Sequence, residues 1–224
     1  MIQAKYPNES RPRRLYTVGE ELANILSHGL GAALSVAGLV VLVVLAFRLG
    51  DPWRVTSFAI YGSTLIILYL ASTLYHSVQD HRVKGVLRTL DHASIYLLIA
   101  GTYTPILLVS MRGAWGWTLL GVIWGLALMG VVLQSLSFQR LRRVELFVYL
   151  MMGWLCVIAW REMFASISIG GLIWIAVGGL LYTIGVIFYA WHKLPYHHAV
   201  WHIFVLAGSV SHFFAMLLHV LPEA

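Results

Sequence analysis

Charge is scarce in this sequence. Asp, Glu, Lys and Arg make up 11% of its 224 residues, where soluble domains carry about a quarter. With 60% hydrophobic residues, that shortage excludes an ordinary water-soluble domain. Cysteine is almost missing as well. Cys156 lies inside an apolar run and has no second thiol, which excludes a disulfide framework and a Cys-based zinc site. No cleavable leader is expected, because the first twenty residues are polar, with Pro7, Pro12 and four Lys/Arg. The first apolar run then serves as its own uncleaved insertion signal. Internal repeats and low-complexity tracts are also lacking.

What the chain does have is long apolar runs. A helix needs about 20 residues to cross a hydrocarbon core. Seven runs qualify, at about 24–47, 55–76, 91–111, 114–134, 144–160, 172–191 and 196–220. They predict an all-α integral membrane protein: a polar segment over 1–20, then one seven-helix transmembrane domain over 21–224. Pro105 predicts a kink in the third span.

The net charge of +6 does not point to nucleic acid, because the basic residues sit in short clusters between apolar runs. Such clusters set topology. With the N-terminus inside, inner segments hold eleven Lys/Arg and outer segments four, a positive-inside bias. The N-terminus is therefore expected to be cytoplasmic and, after seven crossings, the C-terminus outside.

That orientation gathers polar residues at one depth. The second span ends inside, which places Ser72 and His76 there. The first, third and seventh start inside, adding Glu21, Asn24 and His28, then Asp91, then His198 and His202. His198 and His202 are four residues apart, one turn of helix, so both imidazoles leave the same face. Ionisable groups in membrane segments are costly and suggest function. Three imidazoles, from His76, His198 and His202, would leave one position of a tetrahedral zinc ion open to water. Asp91 is then placed to act as general base and Ser72, one turn before His76, to support it. Ser209 and His212 share the face of the pair, His212 about 15 Å deeper than His202. They line a polar cavity or simply bond to a neighbouring helix. His81, His92, His192 and His197 are read as interfacial or hydrogen-bonded residues rather than ligands.

Several of these motifs resemble the hemolysin III proteins, the bacterial branch of the progestin and adipoQ receptor superfamily. The matching runs are Glu21-x-x-Asn24-x-x-Ser27-His28-Gly29, Ser72-Thr73-Leu74-Tyr75-His76, Leu90-Asp91-His92, Gly101-Thr102-Tyr103-Thr104-Pro105 and His198-Ala199-Val200-Trp201-His202. The resemblance extends from about Thr17 to His219. It implies a seven-helix bundle in the bacterial inner membrane, with zinc held by His76, His198 and His202 and supported by Asp91 and Ser72. It also implies work on membrane lipids, since eukaryotic relatives look like receptors with ceramidase-type activity.

Three functions follow from these readings. The first is a zinc-dependent lipid hydrolase, amidase-like, that serves membrane-lipid homeostasis. The second is a pore-forming cytolysin, which an obligate seven-span chain fits poorly. The third is a sensor or receptor whose zinc only ties helices together. It would need a fourth protein ligand, for which His28 is the available residue.

Overall fold

The computed structural model describes residues 16–136 and 142–222. Among these residues, seven helices are long and apolar enough to cross a membrane. They are α1 (Val18–Arg48), α2 (Pro52–Ser77), α3 (His81–Ser110), α4 (Ala114–Ser135), α5 (Val144–Ser166), α6 (Ile169–Ala190) and α7 (His197–Val220). No strand occurs among the described residues. Large apolar side chains such as Val36, Leu128, Phe147 and Ile187 point outward, as lipid-facing positions require.

Local chemistry explains where the helices begin. Thr17 and Glu20 form a capping box at α1, Asp51 with Pro52 opens α2, and the Asp80 side chain accepts from the amides of Arg82 and Val83 at α3. Each cap satisfies amides that have no partner inside the helix. Gly50 ends α1 in the left-handed region, φ 70°, where a side chain is disfavoured.

Several helix ends differ from the sequence expectation. α1 begins at Val18 rather than near 24. α3 begins at His81, nearly three turns before the start near 91 that hydropathy gave, because Asp80 caps a stretch that is polar yet helix-forming. α5 continues past Arg161 and Glu162 to Ser166. The polar segment expected over 1–20 lies largely outside the described residues, and so do Arg140 and residues 223–224.

Two interruptions mark the helix path. After Pro105 the α3 backbone widens into a π turn over Ile106–Ser110, since proline supplies no amide to the regular ladder. In α5 a 3-10 segment, Leu155–Ala159, separates two α-helical stretches. Tyr103 holds that break. Its hydroxyl donates to the carbonyls of Met152 (3.0 Å) and Gly153 (2.8 Å) and accepts from the Cys156 amide (2.9 Å).

Successive helices pack side by side, α1 on α2, α2 on α3 and α3 on α4, while α6 packs on α7 and α7 returns to α1. Glycines set some of these approaches. A Cβ at Gly31 would lie 2.5 Å from the Tyr69 ring, and one at Gly62 the same distance from Leu39. The starts of α1, α3 and α7 and the end of α2 share one end of the bundle, where Glu21 meets both His76 and Lys84.

Candidate metal centre

Three imidazoles converge at that end. One ring nitrogen each of His76, His198 and His202 lies within 4.8 Å of the others, and all three residues are buried. Their ring centroids form a near-regular triangle, with separations of 5.0 Å (His76–His198), 5.2 Å (His76–His202) and 4.6 Å (His198–His202). His198 and His202 take their common direction from the α7 turn; His76 comes from the last turn of α2.

The outer nitrogens fix the tautomers. His76 Nδ1 lies 2.6 Å from Glu21 Oε2, so it carries the proton and donates to the carboxylate. The Asn24 amide nitrogen is 3.3 Å from the same Nδ1. Two donors cannot share one hydrogen bond, so with the ring proton on Nδ1 the amide is read with its oxygen toward the ring. His202 Nδ1 lies 3.3 Å from the Asn24 carbonyl and 3.1 Å from Ser27 Oγ. A carbonyl only accepts, so this ring too is protonated on Nδ1. Lys84 Nζ, 2.7 Å from Glu21 Oε1, neutralises the carboxylate from its other side.

The inner nitrogens are left bare. His76 Nε2, His202 Nε2 and both nitrogens of His198 are buried without a hydrogen-bond partner. A buried polar atom in that state costs about 1–3 kcal/mol, and here four gather on the three converging rings, with both nitrogens of His28 in the same state beside them. Three neutral imidazoles with carboxylate and carbonyl support behind two of them are the donor set of an open tetrahedral metal site. The residues therefore fit a metal ion.

His28 stands apart from the converging group. It stacks on His202 with centroids 3.4 Å apart and planes 12° from parallel, so it is a wall for the ligand ring. Asp91 lines a cavity of about 150 Å³ together with His28 and His198. Ser72 Oγ is buried without a hydrogen-bond partner. Ser209 and His212 lie deeper. Ser209 bonds to Tyr69 (2.7 Å) and Tyr182 (2.8 Å), and His212 Nε2 to the Ile175 carbonyl (3.2 Å).

Sequence reasoning missed the cover of the site. The Tyr16 ring sits 5.3 Å from His198 and 6.0 Å from His76, centroid to centroid. Burial pushes its phenol above the ordinary range, so it stays neutral. Glu20 Oε1 accepts from the Tyr196 amide (3.2 Å), where the backbone is left-handed, φ 56°. That bond ties the start of α1 to the start of the ligand helix. The signal was the capping box after an aromatic residue. Ser27 and Lys84 were missed as well, the first read only as part of a motif and the second only as a topology charge.

The 150 Å³ cavity runs between α3, α5, α6 and α7 from Asp91 and His198 to Trp154 and His212. A second cavity, about 250 Å³, continues from there. The two share Thr102, Tyr103, Gly153, Trp154, Gly179 and His212, so the centre stands at the head of one long, largely apolar space.

The family model described as Haemolysin-III related matches residues 16–213. The Hemolysin-3 homolog of Bacillus subtilis (strain 168) is 46% identical over 205 residues, 92% of this chain and 96% of that protein. Hemolysin-3 of Bacillus cereus is 43% identical over 216 residues, 96% of this chain and 99% of the relative. The human Monocyte to macrophage differentiation factor is 32% identical over 209 residues, 89% and 84% of the two chains. No solved structure matches the chain.

Proposed function

The chain belongs to the haemolysin-III related family of multi-pass membrane proteins, and from that premise and its geometry we propose that it is a zinc-dependent hydrolase of membrane lipids. The reading places the site at the cytoplasmic leaflet of a bacterial inner membrane, following the eleven-to-four charge bias. The observation that carries it is the set of four bare, buried imidazole nitrogens at the head of an apolar cavity that also holds a carboxyl group. An amide-linked acyl chain is the substrate class that uses both ends.

His76, His198 and His202 would hold the ion, and zinc there would supply a Lewis acid that lowers the pKa of water to about 7. Glu21 and the Asn24 carbonyl orient two ligand rings and raise their basicity. Asp91 takes up the proton of the attacking water and delivers it to the leaving nitrogen. Ser72 steadies the carboxylate, and Tyr16 keeps bulk water from the ligand rings. The apolar side chains of α3, α5 and α6 seat the acyl chain.

A second reading, a cytolysin, draws on the printed names of the Bacillus relatives. The largely apolar walls of the cavity argue against a water-filled pore. Metal per purified chain and fatty-acid release from a long-chain N-acyl sphingoid lipid test the hydrolase. His76→Ala is expected to lose the ion; Asp91→Asn keeps it and loses turnover by about 10²–10⁴-fold. Full turnover by Asp91→Asn, or dye leakage from liposomes that ignores His76→Ala, would overturn the proposal.

A further inference from the structure

Well below the metal centre, the apolar cavity contains one polar station that the proposed chemistry does not use. His212 lies ten residues beyond His202 on α7, about 15 Å along the helix, and lines both cavities where they join. Its ring is seated deliberately close to α6: a Cβ at Gly178 would fall 2.3 Å from His212 Cδ2 and 2.4 Å from Nε2. Only a glycine there leaves room for the imidazole.

The protonation of this ring can be read from its partner. Nε2 lies 3.2 Å from the Ile175 carbonyl oxygen, and a carbonyl only accepts, so Nε2 carries the proton. Nδ1 is then a bare acceptor in the neutral ring. It is buried and has no partner, which leaves about 1–3 kcal/mol of hydrogen-bonding potential unmet.

A donor stands beside that acceptor. The Tyr182 and His212 rings are 5.5 Å apart, centroid to centroid. Tyr69 donates to Ser209 Oγ at 2.7 Å, and Ser209 Oγ is 2.8 Å from the Tyr182 hydroxyl. Either hydroxyl of the Ser209–Tyr182 pair can be the donor; with Ser209 donating, the Tyr182 O–H is left to donate. Tyr182 also lines the cavity. The station therefore offers one acceptor and one donor side by side in apolar surroundings. A hydroxyl group uses both; a keto oxygen uses only the donor; a methylene uses neither.

We propose that His212 and Tyr182 form a recognition site for a hydroxyl group in the middle of a bound acyl chain. The inference rests on the cavity being the seat of an acyl chain, as in the proposed function. It narrows the substrate class to lipids hydroxylated roughly twelve carbons from the carbonyl, a reach that matches the helix rise of about 15 Å between His202 and His212.

Equilibrium displacement of radiolabelled stearate from the purified full-length protein in nanodiscs tests this without turnover. The competitors are stearate, 12-hydroxystearate, 12-oxostearate and 6-hydroxystearate, compared at equal mole fraction in the bilayer. 12-Hydroxystearate is expected to displace the label roughly five- to thirty-fold better than stearate. 12-Oxostearate should fall between them, and 6-hydroxystearate should gain nothing. His212→Leu and Tyr182→Phe should each reduce the 12-hydroxy preference in part, and the double variant should bring it close to one. Equal displacement by stearate and 12-hydroxystearate would overturn the recognition site and leave the acyl-chain cavity standing; water would then be the occupant of the His212 acceptor. Failure of labelled stearate to bind at all would overturn the cavity reading and this inference together.

Discussion

The corner where α2 and α3 meet α1 and α7 and the side closed by α5 differ in how completely each helix is covered. Of the apolar stretch of α3, 67% is buried, and of α2 50%, but of α5 only 11%. At the corner, glycines bring backbones so near that Tyr69 fills the place of a Gly31 side chain. In α5, Gly153 has nothing within 4 Å of its missing Cβ, and the helix is broken by a 3-10 turn. The candidate ligands and their supports come from α1, α2, α3 and α7, of whose apolar stretches 28%, 50%, 67% and 39% are buried, all more than α5. The cavity opens on the other side. Coordination needs rings fixed within fractions of an ångström, whereas a lipid chain entering from the bilayer needs a wall that yields.

Perturbing each side separately tests that division. The largest effect is expected from Glu21→Ala, which frees His76 Nδ1 and strands Lys84. Metal affinity measured by chelator competition should fall about 10–100-fold, and an unchanged affinity would mean the carboxylate does not position the ring. Next comes Gly31→Ala, whose methyl must displace the Tyr69 ring. It should cost about 1–3 kcal/mol, read as a lower midpoint of thermal unfolding in detergent. Gly153→Ala on the loose side should be neutral or stabilising by up to about 1 kcal/mol, and a matching loss there would erase the contrast. The smallest change belongs to Tyr103→Phe. Losing the hydroxyl that clasps the α5 break should cost about 1 kcal/mol and speed amide exchange around 153–157 while metal content stays constant.

Much of the centre was legible because its signals are periodic or additive. The four-residue spacing of His198 and His202 fixes a shared face, and summing Lys and Arg over loops predicts a common layer for His76, Asp91 and Glu21. The contacts among α1, α2, α3 and α7 place those helix ends together. The α3 start was misread because hydropathy does not register Asp80 as a cap or the following polar turns as helix. The α5 break left no proline or glycine pair to announce it; it depends on Tyr103, about fifty residues earlier, and tertiary partners cannot be read from local pattern. Tyr16 escaped notice for the same reason, since its importance lies in packing on rings of α2 and α7.

The first and last helices meet in the support of one ligand: Ser27 and His202 touch across 175 residues of chain. A chain inserted helix by helix can hold no more than a lone imidazole, that of His76, until α7 arrives. Before that moment the three-nitrogen chelate does not exist, and binding offers no stabilisation to any shorter product of synthesis. A metal ion held there would therefore stabilise the finished polypeptide and none of its shorter precursors.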